Sequence, residues 1–148
     1  MAGTNAVKAK KAVIDLLTTT FEGTGVQVSY HYPGRVPMRE LVHAGRAEGS
    51  HAFHAMKGGR PQHARQETIT FRLMVVVERP GADPYDVELR CVEIGEEIEN
   101  ALSTAFSVGG VPGLELIRVT GVDVDSDVDD EGAFAVLTYD VTTVSVLT

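Results

Sequence analysis

A single cysteine, Cys91, stands among the 148 residues, so no internal disulfide is available and packing has to hold the fold. Its neighbours Val87, Ile94 and Ile98 recur at helical steps, which makes it a small core residue rather than a reactive thiol. No stretch approaches the roughly 20 consecutive apolar residues that cross a bilayer. The opening segment Met1 to Lys11 carries lysines but no apolar core followed by a small-residue cleavage site, so no export signal is read there. Basic charge is missing altogether after Arg118. Together these absences predict a soluble protein made in a reducing compartment, with no membrane association.

What is present fits one domain spanning 1–148. A chain of this length buries about 70% of the surface its unfolded form exposes and leaves no room for a second core. The net charge of -8 is unevenly spread. Between His31 and Arg65 lie Arg35, Arg39, Arg46, Lys57, Arg60 and Arg65, together with all five histidines, against only Glu40 and Glu48 as acids. Such segregation gives a mildly positive region and a strongly negative one. It suits head-to-tail or ring contacts and argues against general nucleic-acid binding.

Periodicity orders the elements. Ala6, Ala9, Val13, Leu16, Leu17 and Phe21 recur at steps of three and four after a cap at Thr4 or Asn5, predicting a helix that Gly23 and Gly25 stop. Val26 to Tyr32 alternates like a strand and closes at Pro33-Gly34. Met38 to Ala44 reads as a short strand. The stretch 45–66, rich in glycine and without lasting periodicity, reads as a long loop. Thr68 to Arg79 places Ile69, Phe71, Leu73, Val75 and Val77 on one face, the clearest strand pattern in the chain. Asp83 and Pro84 then open a second helix, with Val87, Cys91, Ile94, Ile98, Ala101, Leu102 and Ala105 as its buried stripe and its glutamates in water.

The last third reads as a hairpin of two strands, Leu114 to Val128 and Ala133 to Leu147. Pairing Val128 with Ala133 sets Val124 opposite Leu137 and Val122 opposite Tyr139, collecting apolar partners on one face. The other face then carries Asp123, Asp125 and Asp127 opposite Thr138, Val136 and Phe134. With Asp129, Asp130 and Glu131 these make six acids within nine residues. The run resembles the start of a calcium-binding EF-hand loop, but its sixth position is Val128 where glycine is needed, and its twelfth is Phe134 where a bidentate glutamate is needed. A hairpin face explains the two-residue period. Asp is a poor strand former, however, so its dominance points to protection of an edge or to an electronegative surface.

Other chemistry is weakly signalled. His51 and His54, three apart, share one side of a helical turn only if the segment is helical, and no second ligand pair accompanies them, so a solvated loop is the expectation. No Gly-x-Ser-x-Gly elbow is present. Gly109 to Gly113 follows a helix instead of opening one and lacks a phosphate-binding lysine, so it reads as a turn. Neither an enzyme, nor a cofactor, nor a bound metal is expected.

The order of elements carries more than any motif. A leading helix is followed by a strand with Tyr30-His-Tyr-Pro-Gly34, the segment Arg39-Glu-Leu-Val-His43 and a glycine-rich stretch. Then come the strand Glu67 to Val77, a helix from Asp83 to Phe106, and a terminal hairpin. This pattern resembles, over nearly the whole chain, the tail terminator proteins of long-tailed bacteriophages, the siphophage tail-completion subunits.

The resemblance implies an α+β fold with two helices packed on a mainly antiparallel sheet of four to five strands. It implies a hexameric ring that caps the tail tube protein, stops tube polymerisation and presents its other face to a head-side connector protein. DNA would pass through the ring without specific binding, and the location would be the head-proximal end of the virion tail, after assembly in the host cytoplasm. Terminators have no catalytic residues to carry over. A connector stopper or adaptor is the alternative, with a metal-binding module behind it. On this view Asp123, Asp125, Asp127, Asp129, Asp130 and Glu131 face the lumen or a partner, and Arg35, Arg39, Arg46, Lys57, Arg60 and Arg65 contact the neighbouring subunit or the tube.

Overall fold

The computed structural model describes residues 3–34, 39–53, 65–104, 114–129 and 132–147. Within them the chain runs α1 (Ala6–Thr20), β1 (Gln27–Ser29), β2 (Glu40–Phe53), β3 (Arg65–Arg79), α2 (Pro84–Thr104), β4 (Leu114–Asp129) and β5 (Gly132–Leu147). The five strands form one sheet in the order β1-β2-β3-β5-β4. Only β1 and β2 pair in parallel; the other three ladders are antiparallel. Both helices lie on the same face, α1 over β1 and β2, and α2 over β3, β5 and β4. This is the α+β architecture that the sequence predicts.

The core sits between the helices and that face. Ile69, Phe71, Leu73, Val75 and Val77 of the central strand are all buried, as their alternation requires, and they share one core with Val13 and Leu17 of α1, Phe21 just beyond its end, and Val87, Cys91, Ile94 and Ile98 of α2. The Cys91 thiol lies 3.7 Å from the Val75 carbonyl and 3.6 Å from that of Ala135. Burial pushes its pKa up to about 11, so it is held as a neutral thiol.

Helix ends follow the residues that cap them. The Asp83 carboxylate accepts from the Asp86 N–H at 3.1 Å, and Pro84 takes the first position of α2, where its missing N–H loses nothing. At the other end of α1, Gly23 and Gly25 adopt φ of 75° and 85°, a region that side chains disfavour, and the helix stops there. Midway along α2 a glycine serves another purpose. A Cβ on Gly95 would collide with the Tyr139 hydroxyl and lie 2.7 Å from Leu137 Cδ2, so its absence lets α2 settle onto β5.

Two expectations are corrected. The stretch 45–66 is not a loop throughout: β2 continues to Phe53 and β3 begins at Arg65, while 54–64 fall outside the described residues. The reason is tertiary. The backbone of 47–53 pairs residue by residue with β3, from Ala47 opposite Phe71 to Phe53 opposite Arg65. The register shift between Ala44 and Ala47 breaks the alternation that would have revealed the strand. The strand expected over Val26 to Tyr32 is also shorter, since pairing with β2 ends at Ser29. Parallel neighbours need a connection that returns along the sheet. Tyr32 on that connection stacks edge-on to His43, with ring centroids 5.3 Å apart.

Candidate interaction surfaces

From Gly121 to Asp129 the terminal hairpin takes the predicted register: Val128 pairs with Ala133, Val124 with Leu137 and Val122 with Tyr139, and Asp123, Asp125 and Asp127 face Thr138, Val136 and Phe134; nearer Leu114 the ladder shifts, between Val119 and Gly121 and between Leu114 and Leu116. Ala133, Ala135, Leu137, Tyr139 and Val141 are buried against the helices. The acidic row therefore lies on the opposite face, which neither helix of the described residues covers. Asp123, Asp125 and Asp127 are all exposed, and an extended strand spaces such alternate residues by roughly 6.6 Å, a poor arrangement for converging on one ion.

Why aspartate recurs on a strand has a local answer. The pair Asp129 and Gly132 closes the hairpin across a two-residue connection. Hydrogen-bonded pairs then alternate at Asp127 and Asp125, so the N–H groups of Ser126 and Val128 point away from β5. Those two N–H groups donate to side chains of their own strand, Ser126 to Asp125 Oδ1 at 2.9 Å and Val128 to Asp127 Oδ1 at 2.8 Å. The aspartates thus occupy donors that an added strand would need. They supply negative charge on the open face and close the sheet edge together.

On the helix side the same strand is incompletely covered. Val122 is 66% exposed and Val128 55%, because α2 overlies β5 more than β4 and reaches the edge through one hydrogen bond from Ser126 Oγ to Glu88 at 2.9 Å. A groove of about 400 Å³ runs between them, with Val122, Val124 and Tyr139 on its floor and Val92 and Glu99 on its α2 wall. Burial, with Glu99 and Glu96 close by, pushes the Tyr139 phenol up to about 12.

The predicted basic group is spread out. Arg39 is exposed beside the start of β2, where its carbonyl accepts from the Glu78 N–H at 2.9 Å. Arg46 sits exposed at the β2 irregularity, 3.3 Å from Glu48. Arg65 opens β3 at the far end of the same ladder, with Nη1 3.4 Å from His51 Nδ1. These three do not form one patch. Arg35, Lys57, Arg60, Asp130 and Glu131 lie outside the described residues, and Asp129 is the last residue of β4.

Two polar anchors escaped the sequence reading. Glu40, at the start of β2, receives Arg90 Nε at 2.6 Å and Nη2 at 3.1 Å, a forked pair that ties α2 to the sheet and raises the guanidinium pKa further. Glu67, only 1% exposed, accepts from the Asn5 N–H at 2.7 Å, so a carboxylate from β3 satisfies the positive end of α1. The Thr4 hydroxyl takes the Ala6 N–H at 3.0 Å instead. Burial alone would raise the Glu67 pKa, but hydrogen bonds from Thr4, the Asn5 backbone and His51 together hold it below its usual value.

His51 Nε2 meets the other oxygen of Glu67. It stands in β2 opposite β3 and not in the solvated loop expected of it, while His54 lies outside the described residues. His43 is buried in β2, and burial lowers its pKa. Among the described residues no three His, Cys, Asp or Glu side chains gather as a metal-ligand set. Neither a protein-family model nor a curated protein matches the sequence.

Proposed function

We propose that this chain is the subunit of a homo-oligomeric ring at the head-proximal end of a bacteriophage tail, where it caps the tail tube, ends its growth and offers a surface to the head-side connector. The action is steric and made through contacts, with no catalytic step. One observation carries the reading. Among the described residues the five-stranded sheet has helices on one face only, and on its other face Met74, Val76, Phe134 and Val136 are half-buried beside the exposed row Asp123, Asp125 and Asp127.

A free monomer gains nothing from such a face, whereas a subunit in an assembly can turn it to a neighbour or to a channel. Carboxylates along a channel repel phosphate, which suits DNA that must pass without being retained by counterion release. The order of elements, which resembles that of terminators over nearly the whole chain, supports the same reading.

Sedimentation or light scattering across a concentration series tests it. A closed species near six times the mass of one chain, which stops growing as concentration rises, is the expected result. A monomer at every concentration would count against the ring.

A further inference from the structure

We infer that the groove between α2 and β4 receives the first half of α1 from the next copy of the chain, so that the ring closes head to tail through the helix layer; this rests on the ring reading above. Two features lie at opposite flanks of that layer, α1 over β1 and β2, and the groove beside the other edge strand. They cannot meet within one molecule. A contact between unlike patches is heterologous, and repeated by rotation it closes a ring.

The two flanks complement each other in shape class and in charge. The groove presents exposed Val122 and Val92, and α2 continues that apolar stripe along one side with Tyr85 and Leu89, at steps of three and four. Its rim is acidic: Glu96 and Glu99 stand near Tyr139, and the only basic residue of α2 is Arg90, already engaged with Glu40. On α1 the most exposed apolar side chain is Val7, at 64%. It sits among Lys8, Lys10 and Lys11, and no acid precedes Asp15. Lys8 is exposed, Lys11 is exposed and paired with Asp15 one turn on at 2.5 Å, and Lys10 lies 4.4 Å over the Tyr30 ring. A valine ringed by lysines thus matches a valine-floored groove rimmed by glutamates.

The closed edge explains why the neighbour docks on side chains. With Asp125 and Asp127 holding the outward N–H groups of Ser126 and Val128, a copy arriving at the hairpin end of β4 finds those two donors engaged, which disfavours strand addition there. The helix layer above the edge remains available.

A charge-swap experiment separates this contact from the ring itself. Lys8→Glu with Lys11→Glu, and in a second protein Glu96→Lys with Glu99→Lys, each place like charges across the contact. Each should raise the concentration for half-assembly by roughly tenfold or more, and the melting curve of each monomer separates this from loss of the Lys11–Asp15 pair or of the Glu99 contact with Tyr139. Mixing the two proteins one to one restores opposite charges at every contact of an alternating ring, and assembly should return. Val122→Ser, at an exposed site, should also weaken it. A wild-type ring whose variants assemble like wild type, or variants that fail and are not restored by mixing, would overturn this interface and leave the ring standing. Wild-type protein that never assembles would overturn both.

Discussion

Glu67 illustrates how one buried carboxylate can hold an element in place. Removed from water at the end of the central strand, it is kept charged by the α1 N-terminus, Thr4 and His51. Because its pKa falls below the ordinary 4.5 on folding, its contribution is fully present above that value and fades as pH drops through the lower folded value. Replacing it with Gln keeps the shape but not the charge. We expect Glu67→Gln to cost about 1–3 kcal/mol at neutral pH, and the gap from wild type to narrow toward about pH 3. Urea denaturation at the two pH values measures both. A gap that stays constant with pH would mean that charge is not what anchors α1. Nothing in the sequence marks this residue, because a glutamate on the core face of a strand reads as a break in the alternation until the helix terminus above it is known.

At the scale of elements, the closest approach is that of α2 to β5. Gly95 lies in the middle of a 21-residue helix, where glycine usually costs about 1 kcal/mol relative to alanine. Its retention follows from the collision that a Cβ would make with Tyr139 and Leu137. Gly95→Ala should therefore destabilise by about 1–2 kcal/mol, the overpacking penalty less the helix gain. Adding Tyr139→Phe, which withdraws the hydroxyl, should recover part of the loss. Denaturant midpoints of the single and double variants check this, and a stabilised Gly95→Ala would show the helix to be less tightly seated.

The same scale explains what could be read in advance. The central strand, both helices and the hairpin register from Gly121 to Asp129 were legible because their apolar residues keep one period there, whereas the two register shifts between Leu114 and Gly121 leave no such sign. The second half of β2 was not. Gly45, Gly49 and the register shift beside Ala44 erase its alternation, and only pairing with β3 makes Gly49 to Phe53 a strand. The acidic row was legible as one face of a strand. Its hydrogen bonds to the outward N–H groups, and the exposure of Val122 and Val128 on the reverse side, depend on where α2 lies and appear only in three dimensions.

For the whole molecule, a sheet sheltered on one side has consequences for how copies meet. The face away from the helices carries half-buried apolar side chains beside aspartates, two outward N–H groups of the β4 edge are held by its own carboxylates, and the two flanks of the helix layer differ in charge. On the proposed reading, each of these, a liability or an idle feature in an isolated chain, would serve a ring around passing DNA. The most direct test of that account is electron microscopy of tails assembled without this protein. Tubes that run beyond their normal length are the predicted result. Tails of normal length that fail to join heads would contradict termination and assign the chain to the connector instead.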